Sequence, residues 1–133
     1  MLNIGAVFIG GGLGAVSRFL LARFISGHAF TNIPMGTFVV NISGAILIGF
    51  VVVLFDTAAS PVMLRSFVAI GFLGGYTTFS TYALETVLLL QEHEYLSAAM
   101  NLLLHTVTGL IAVSVGMLAA KAFHTWLQGG FHA

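Results

Sequence analysis

Residues 71–81 read Gly71-Phe72-Leu73-Gly74-Gly75-Tyr76-Thr77-Thr78-Phe79-Ser80-Thr81, and they interrupt an apolar run from Val62 to Leu90. That run is longer than one simple membrane crossing, which needs about 20 helical residues. Two glycines followed by two threonines form helix poorly, so the stretch predicts a break near the middle of a membrane helix. Such a break would free carbonyl and amide groups, which must find partners because lipid offers none.

The rest of the chain is also apolar. Of its 133 residues, 59% are apolar and 6% are charged, and the mean hydropathy is +1.08. A water-soluble domain of this size could not bury so much apolar surface, so lipid is the expected solvent. Four Lys and Arg balance four Asp and Glu. Without a basic field, nucleic acid is excluded as a partner.

Four apolar runs predict an all-α integral membrane protein with four transmembrane helices in a single domain over residues 1–133. We expect the spans at about residues 3–24, 35–55, 62–90 and 95–123, with the third span broken at 74–78. Polar links are expected at residues 28–34, 56–61 and 91–94.

Positive charges are shared evenly between the two ends of these spans. Arg18 and Arg23 lie towards one side, and Arg65 and Lys121 lie towards the other. Orientation normally follows an excess of Lys and Arg in cytoplasmic loops, and here that excess vanishes. An antiparallel homodimer of oppositely inserted chains would suit this balance and would bring each break against its inverted copy. The alternative is that so few charges do not determine orientation.

Polar residues inside the spans are candidates for function, because each costs free energy unless it faces protein or water. Asn41 lies in span 2, and Thr37 precedes it by four residues on the same helix face. In span 4, Asn101, His105 and Gly109 form a narrow stripe. The stripe indicates either a polar track or a packing seam.

Two glycine patterns predict close helix packing. Gly10-Gly11-Gly12-Leu13-Gly14 lies in span 1, and Gly44 and Gly49 lie in span 2. Small residues let helix backbones approach closely in lipid, so we expect packing seams at both places.

The break itself offers a cation site. Backbone oxygens of Gly74 and Thr77 from two inverted copies would give four hard ligands, which suit a small ion such as Na⁺. The alternative is a glycine hinge whose free backbone groups are satisfied by Ser and Thr side chains.

Two aromatic rings follow the break. Phe79 and Tyr82 are three residues apart and therefore share a helix face. Ring edges carry partial positive charge, so an anion could pass along them while accepting hydrogen bonds from Ser80, Thr81 or Asn41. Aromatic packing in the protein core is the alternative reading of this spacing.

Three motifs together resemble the Fluc/CrcB fluoride-channel family. They occur in the family order over nearly the whole chain, and the third is the most specific. They are Gly10-Gly11-Gly12-Leu13-Gly14-Ala15-Val16-Ser17-Arg18, Gly36-Thr37-Phe38-Val39-Val40-Asn41, and the stretch 71–81 quoted above.

The resemblance implies a fluoride-selective channel for passive export of cytoplasmic fluoride through the cell inner membrane. It implies an antiparallel dual-topology homodimer with two pores and a structural Na⁺ at its centre, held by backbone carbonyls of Gly74 and Thr77. Asn41 matches the pore amide of the family, and Phe79 and Tyr82 match its paired rings. The predicted pore comprises Asn41, Phe79, Tyr82, Ser80, Thr81, Thr37 and His105.

The chain departs from the family pattern at two places. The family commonly has Phe where Tyr82 stands, so a hydroxyl is added beside the expected fluoride path. Span 4 of the family usually offers hydroxyl or amide groups where His105 and Gly109 stand. Arg18 and Glu85 match charged family positions whose roles stay open.

The main rival is a small dual-topology proton-coupled multidrug exporter. Such an exporter needs a membrane-buried carboxylate, but span 1 has no Asp or Glu, and Glu85 lies towards a helix end. An intramembrane enzyme is disfavoured because the sequence offers His105 no identifiable carboxylate partner. A purely structural subunit would not explain why Phe79 and Tyr82 follow a helix break.

Overall fold

The computed structural model describes residues 2–27, 33–57 and 60–129. Residues 28–32 and 58–59, which belong to the predicted links at 28–34 and 56–61, lie outside this description. The described residues form helices in this order: α1 (Leu2–Ser26), α2 (Met35–Thr57), α3 (Val62–Arg65), a π-helical segment (Ser66–Leu73), α4 (Gly74–Tyr76), α5 (Phe79–Gln91) and α6 (Tyr95–Gly129).

Four stretches are long and apolar enough to cross a membrane: Asn3–Ser26, Met35–Thr57, Val62–Gln91 and Tyr95–Gln128. They confirm the prediction of four long apolar helices. α6 has 35 residues and therefore a length of roughly 52 Å at 1.5 Å per residue. The hydrocarbon core is about 30 Å thick, so part of α6 extends beyond it.

Large apolar side chains cover the outside of the bundle, whereas many of its buried residues are small. Phe8 is 81% exposed and Leu96 is 74% exposed, while Val40 and Ala120 are fully buried. A soluble monomer would not present so continuous an apolar surface. This distribution suits an environment of lipid or of a second protein chain.

Glycines bring α1 against the third membrane helix, the span Val62–Gln91 that comprises α3, the π-helical segment, α4 and α5. Gly10 and Gly14 are four residues apart on α1, and Gly71 and Gly75 have the same spacing in the third helix. A Cβ at Gly10 would lie 3.2 Å from the Gly71 Cα, and a Cβ at Gly14 would collide with backbone atoms of Phe72 in the third membrane helix. The glycines therefore allow a backbone approach that any side chain would prevent. Gly12 differs, because its Cβ would meet nothing within 4 Å.

A second glycine seam joins α2 to α6. A Cβ at Gly49 would collide with the backbone of Val113, and one at Gly116 would collide with the backbone of Ile46. Gly44 instead packs against Tyr76 and Thr77 of the third helix. The predicted pattern in span 2 thus serves two different neighbours.

Candidate functional site

The third membrane helix changes its backbone conformation at two threonines. Thr77 (φ −86°, ψ 156°) and Thr78 (φ −148°, ψ 115°) are extended between α4 and α5. The Thr77 amide and hydroxyl both donate to the Leu73 carbonyl at 3.0 Å, which ends the preceding turn. The Thr78 hydroxyl accepts from the Thr81 amide at 3.2 Å and caps the start of α5.

Asn41 of α2 holds this extended pair in place. Its Nδ2 donates to the Thr78 carbonyl at 3.0 Å, and its Oδ1 accepts from the Thr78 amide at 2.8 Å. One side chain thus satisfies both backbone groups of a residue that has left the helix. Asn can do this because its amide offers a donor and an acceptor side by side.

These contacts release two carbonyl groups from helical bonding. In a continuous helix, the Thr78 amide would bond the Gly74 carbonyl, and the Thr81 amide would bond the Thr77 carbonyl. Here the first amide bonds Asn41 and the second bonds the Thr78 hydroxyl. The carbonyls of Gly74 and Thr77 therefore lose their helical donors, and unwound carbonyls of this kind suit a small cation.

Arg18 has a separate partner in the same segment. Its Nε donates to the Gly75 carbonyl at 3.2 Å, across the glycine seam between α1 and the third helix. Gly75 must lack a side chain there, because a Cβ would collide with the Gly11 carbonyl. Arg18, whose role the sequence leaves open, therefore stabilises the segment and bonds one of the two carbonyls between those of Gly74 and Thr77.

A cavity of about 490 Å³ lies beside the extended pair. It brings together six of the predicted site residues, whereas Thr37, Ser80 and Thr81 lie outside its described lining. The lining comprises Asn41, Gly44, Ala45, Ile48, Ala69, Leu73, Gly74, Thr77, Thr78, Phe79, Tyr82, His105, Thr106 and Val113.

Three rings form a row along one side of this cavity. The centroids of Phe79 and Tyr82 are 5.6 Å apart with an interplanar angle of 65°, so one ring presents its edge to the other. Tyr82 is buried and lies 4.4 Å from the ring of His105, whereas Phe79 is 79% exposed. The row therefore runs from the surface of the chain into its interior.

Ser80 and Thr81, predicted as donors along the path, take part in the cap of α5 instead. The Thr78 hydroxyl lies 3.3 Å from the Ser80 hydroxyl and 3.0 Å from that of Thr81. In this arrangement their hydroxyl groups stabilise the start of the helix. Their place in the pore stays a prediction.

A buried polar cluster lies behind the row of rings. The Thr37 hydroxyl donates to Glu85 Oε1 at 2.6 Å, and Asn101 Nδ2 donates to the Thr86 hydroxyl at 2.8 Å. His105 Nδ1 lies 3.0 Å from the Asn101 carbonyl. The sequence indicated Thr37 and the Asn101–His105 stripe as candidates. It did not pair them with Glu85 and Thr86 of α5, because those pairs depend on how α2, α5 and α6 pack.

The fold and the site together define a small multi-pass membrane protein whose polar groups suit a small ion. Neutral donors and ring edges border the cavity, and two released carbonyls lie beside it. In the part of the chain that the structure describes, no group of three or more His, Cys, Asp or Glu side chains could hold a metal.

Comparison with known proteins gives the family. The family described as CrcB-like protein, Camphor Resistance (CrcB), matches residues 5–117, and the chain belongs to it. This membership confirms the resemblance seen in the three motifs.

Curated relatives carry the name fluoride-specific ion channel FluC. The one from Methylococcus capsulatus is 41% identical over 121 residues, which are 90% of this chain and 53% of that protein. The one from Nitratiruptor sp. is 36% identical over 121 residues, covering 91% and 94%. The one from Hydrogenobaculum sp. is 41% identical over 116 residues, covering 86% and 94%. The chain thus spans about half of the first relative and nearly all of the other two, and each is named a channel rather than an enzyme.

Proposed function

We propose that this protein is a fluoride-selective channel that lets cytoplasmic fluoride leave the cell passively through the inner membrane. The observation that carries the proposal is the meeting of Asn41, Phe79 and Tyr82 at one cavity beside the extended pair. The names of the relatives support fluoride as the ion.

Fluoride is small and strongly hydrated, so a narrow path must replace its water with donors while excluding larger chloride. The Asn41 amide carries two hydrogens, of which one bonds the Thr78 carbonyl, and the second is the donor that we assign to fluoride. The edges of Phe79 and Tyr82 add partial positive charge without a permanent full charge that would trap the ion. The described lining of the cavity contains neither Lys nor Arg.

Export needs no energy source in this proposal. The weak acid HF enters by diffusion and dissociates in the more alkaline cytoplasm, where fluoride is trapped as an anion. A passive channel then releases fluoride down its gradient.

The working unit in this proposal is an antiparallel homodimer with one structural Na⁺. Two oppositely inserted chains would meet at the bilayer midplane, where the third helices are interrupted. Gly74 and Thr77 of each chain would hold the ion through their carbonyls, and the bound ion would neutralise the converging carbonyl dipoles. The released carbonyls and the apolar outer surface support this arrangement.

Fluoride efflux from liposomes containing the purified protein tests the function. A fluoride electrode should record rapid efflux, and a chloride electrode should record far slower chloride efflux under the same gradient. Equal rates for the two ions would refute selectivity.

The Phe79→Ile variant tests the path, and we expect it to abolish efflux while the dimer stays assembled. Phe8→Ile is the matched control, because Phe8 is equally exposed but lies outside the described cavity lining. Normal efflux through the Phe79 variant would remove this ring from the path.

Removal of Na⁺ tests the cation site. Prolonged dialysis into N-methyl-D-glucamine at constant ionic strength should inactivate the channel, and returned Na⁺ should restore efflux. Activity that survives dialysis would favour the simple glycine hinge.

A further inference from the structure

Three buried side-chain atoms have no hydrogen-bond partner in the described part of the protein. They are Glu85 Oε2, Asn101 Oδ1 and His105 Nε2. The bonds from Thr37 to Glu85 and from Asn101 to Thr86 place all three between α2, α5 and α6. An unpaired buried polar group costs about 1–3 kcal/mol, so three in one region indicate that protons or a ligand complete the site.

All three atoms are acceptors when Glu85 is ionised and His105 is neutral. The Asn101 carbonyl can only accept, so its contact with His105 Nδ1 favours the tautomer with hydrogen on Nδ1, in which Nε2 keeps a lone pair. The Thr37 backbone also faces the imidazole. The Thr86 hydroxyl donates to the Tyr82 carbonyl at 2.9 Å and must therefore accept from Asn101 Nδ2. This orientation fixes Oδ1 as the unpaired atom of the Asn101 amide.

His105 joins this acceptor cluster to the cavity. It is 9% exposed and belongs to the cavity lining. Its ring lies 4.4 Å from that of Tyr82 and 5.3 Å from that of Phe38, to which it stands nearly perpendicular. Fluoride only accepts hydrogen bonds, so a neutral His105 that presents the Nε2 lone pair would repel an anion that had passed the rings.

We propose that the protonation state of His105 controls whether fluoride can pass along the anion path. When neutral, it presents the Nε2 lone pair and hinders fluoride. When it takes a proton from water, Nε2 becomes a donor and admits fluoride beyond Tyr82. This inference rests on the proposed channel function and adds its regulation. The path would conduct better in acid, which is also the condition in which HF loads a cell with fluoride.

The titratable side chains near His105 can also bind a proton in this region. From α5, the titratable neighbours are Tyr82, whose ring lies 4.4 Å from that of His105 at a tilt of 34°, and Glu85, which bonds Thr37. The residues that α2 contributes to this region, Thr37, Phe38 and Asn41, are neutral. Both Glu85 and His105 can exchange a proton, so a test must separate them.

The test measures fluoride efflux from proteoliposomes between about pH 4.5 and pH 7.5, an interval that extends about two units below the ordinary exchange of the imidazole proton. Leakage of HF through protein-free liposomes is subtracted at each pH. We expect the rate of the unaltered protein to fall at least about fivefold as the pH rises, because the protonated form is lost.

The His105→Gln variant should be fast at both ends of the interval, since its amide nitrogen stands near the Nε2 position and always carries hydrogen. His93→Gln is the matched control, because His93 is exposed in the α5–α6 turn, and it should keep the full pH slope. Glu85→Gln should also keep a slope. A slope that disappears in Glu85→Gln but persists in His105→Gln would overturn the proposal.

Nitrogen NMR of histidine-labelled protein gives a readout that is independent of transport. His105, assigned by its loss in His105→Gln, should carry hydrogen on Nδ1 alone at about pH 7.5 and on both nitrogens at about pH 4.5. Hydrogen on Nε2 alone at the higher pH would overturn the proposal, as would robust efflux with no pH slope. Absence of fluoride efflux at every pH would instead refute the channel function on which it rests.

Discussion

Asn41 is the residue on which the extended pair depends most directly. Asn41→Ala leaves both the amide and the carbonyl of Thr78 without their partner, and an unpaired buried group costs about 1–3 kcal/mol. We expect a lower unfolding temperature in detergent and little fluoride efflux. Ser114→Ala is the control, because its exposed hydroxyl bonds only within α6. Normal stability of Asn41→Ala would mean that water can replace the side chain.

Tyr82 tests whether the ring edge or the hydroxyl meets the ion. Tyr82→Phe keeps the edge contact with Phe79 and the tilted ring contact with His105. If the edge is used, efflux should stay within about twofold of the unaltered rate, because the ring quadrupole is retained. Tyr82→Leu should lose most of the efflux. A large loss in Tyr82→Phe would assign the function to the hydroxyl.

Among the helices, α1 and the third membrane helix form the seam that positions the extended pair. Gly14→Ala would drive a methyl group into the backbone at Phe72, so we expect a loss of about 1–3 kcal/mol or more in unfolding free energy. Gly12→Ala is the matched control two residues away, where a Cβ meets nothing within 4 Å. There the better helix propensity of Ala should be neutral or slightly stabilising. Thermal unfolding in detergent compares them, and equal stability would contradict the seam.

The sequence predicts the long helices well, because every residue of an apolar run adds to the same signal. It predicts their ends less well: α6 continues to Gly129 beyond the expected end near residue 123, since a helix can leave the bilayer without a change in pattern. The π-helical segment Ser66–Leu73 was not predicted. Its residues are almost uniformly apolar, so the sequence pattern does not distinguish a π-helix, with bonds between residues five apart, from an α-helix, with bonds between residues four apart.

Some residues of the candidate site could likewise be predicted from the sequence, whereas their partners could not. Asn41, Gly74 and Thr77 could be found because glycine, threonine and amide groups are unusual inside apolar runs. The bond from Thr37 to Glu85 joins residues 48 apart in sequence, and that from Arg18 to Gly75 joins residues 57 apart. Such pairs follow from the packing of whole helices, and no local pattern in one sequence contains them.

The even balance of positive charge between the two ends of the protein leads to a test of orientation. Arg65 is paired with Asp56 at 3.2 Å and lies over the Phe55 ring, so one of the few cations is already engaged at its end of the bundle. Added Lys in a short loop should draw that loop to the cytoplasm. With four spans, the α2–α3 link and the α5–α6 turn face opposite sides.

Ser60→Lys and Glu92→Lys should therefore fix opposite orientations. If the channel is an antiparallel dimer, each variant alone should lose most fluoride efflux, because all its copies would insert the same way. Co-expression of the two should restore efflux, which also shows that both chains fold. Ser60→Gln and Glu92→Gln are the controls, since neither adds a positive charge. Full efflux from either lysine variant alone, with its orientation verified by one-sided labelling, would mean that parallel chains conduct, and two inverted copies would not be needed at the extended pair.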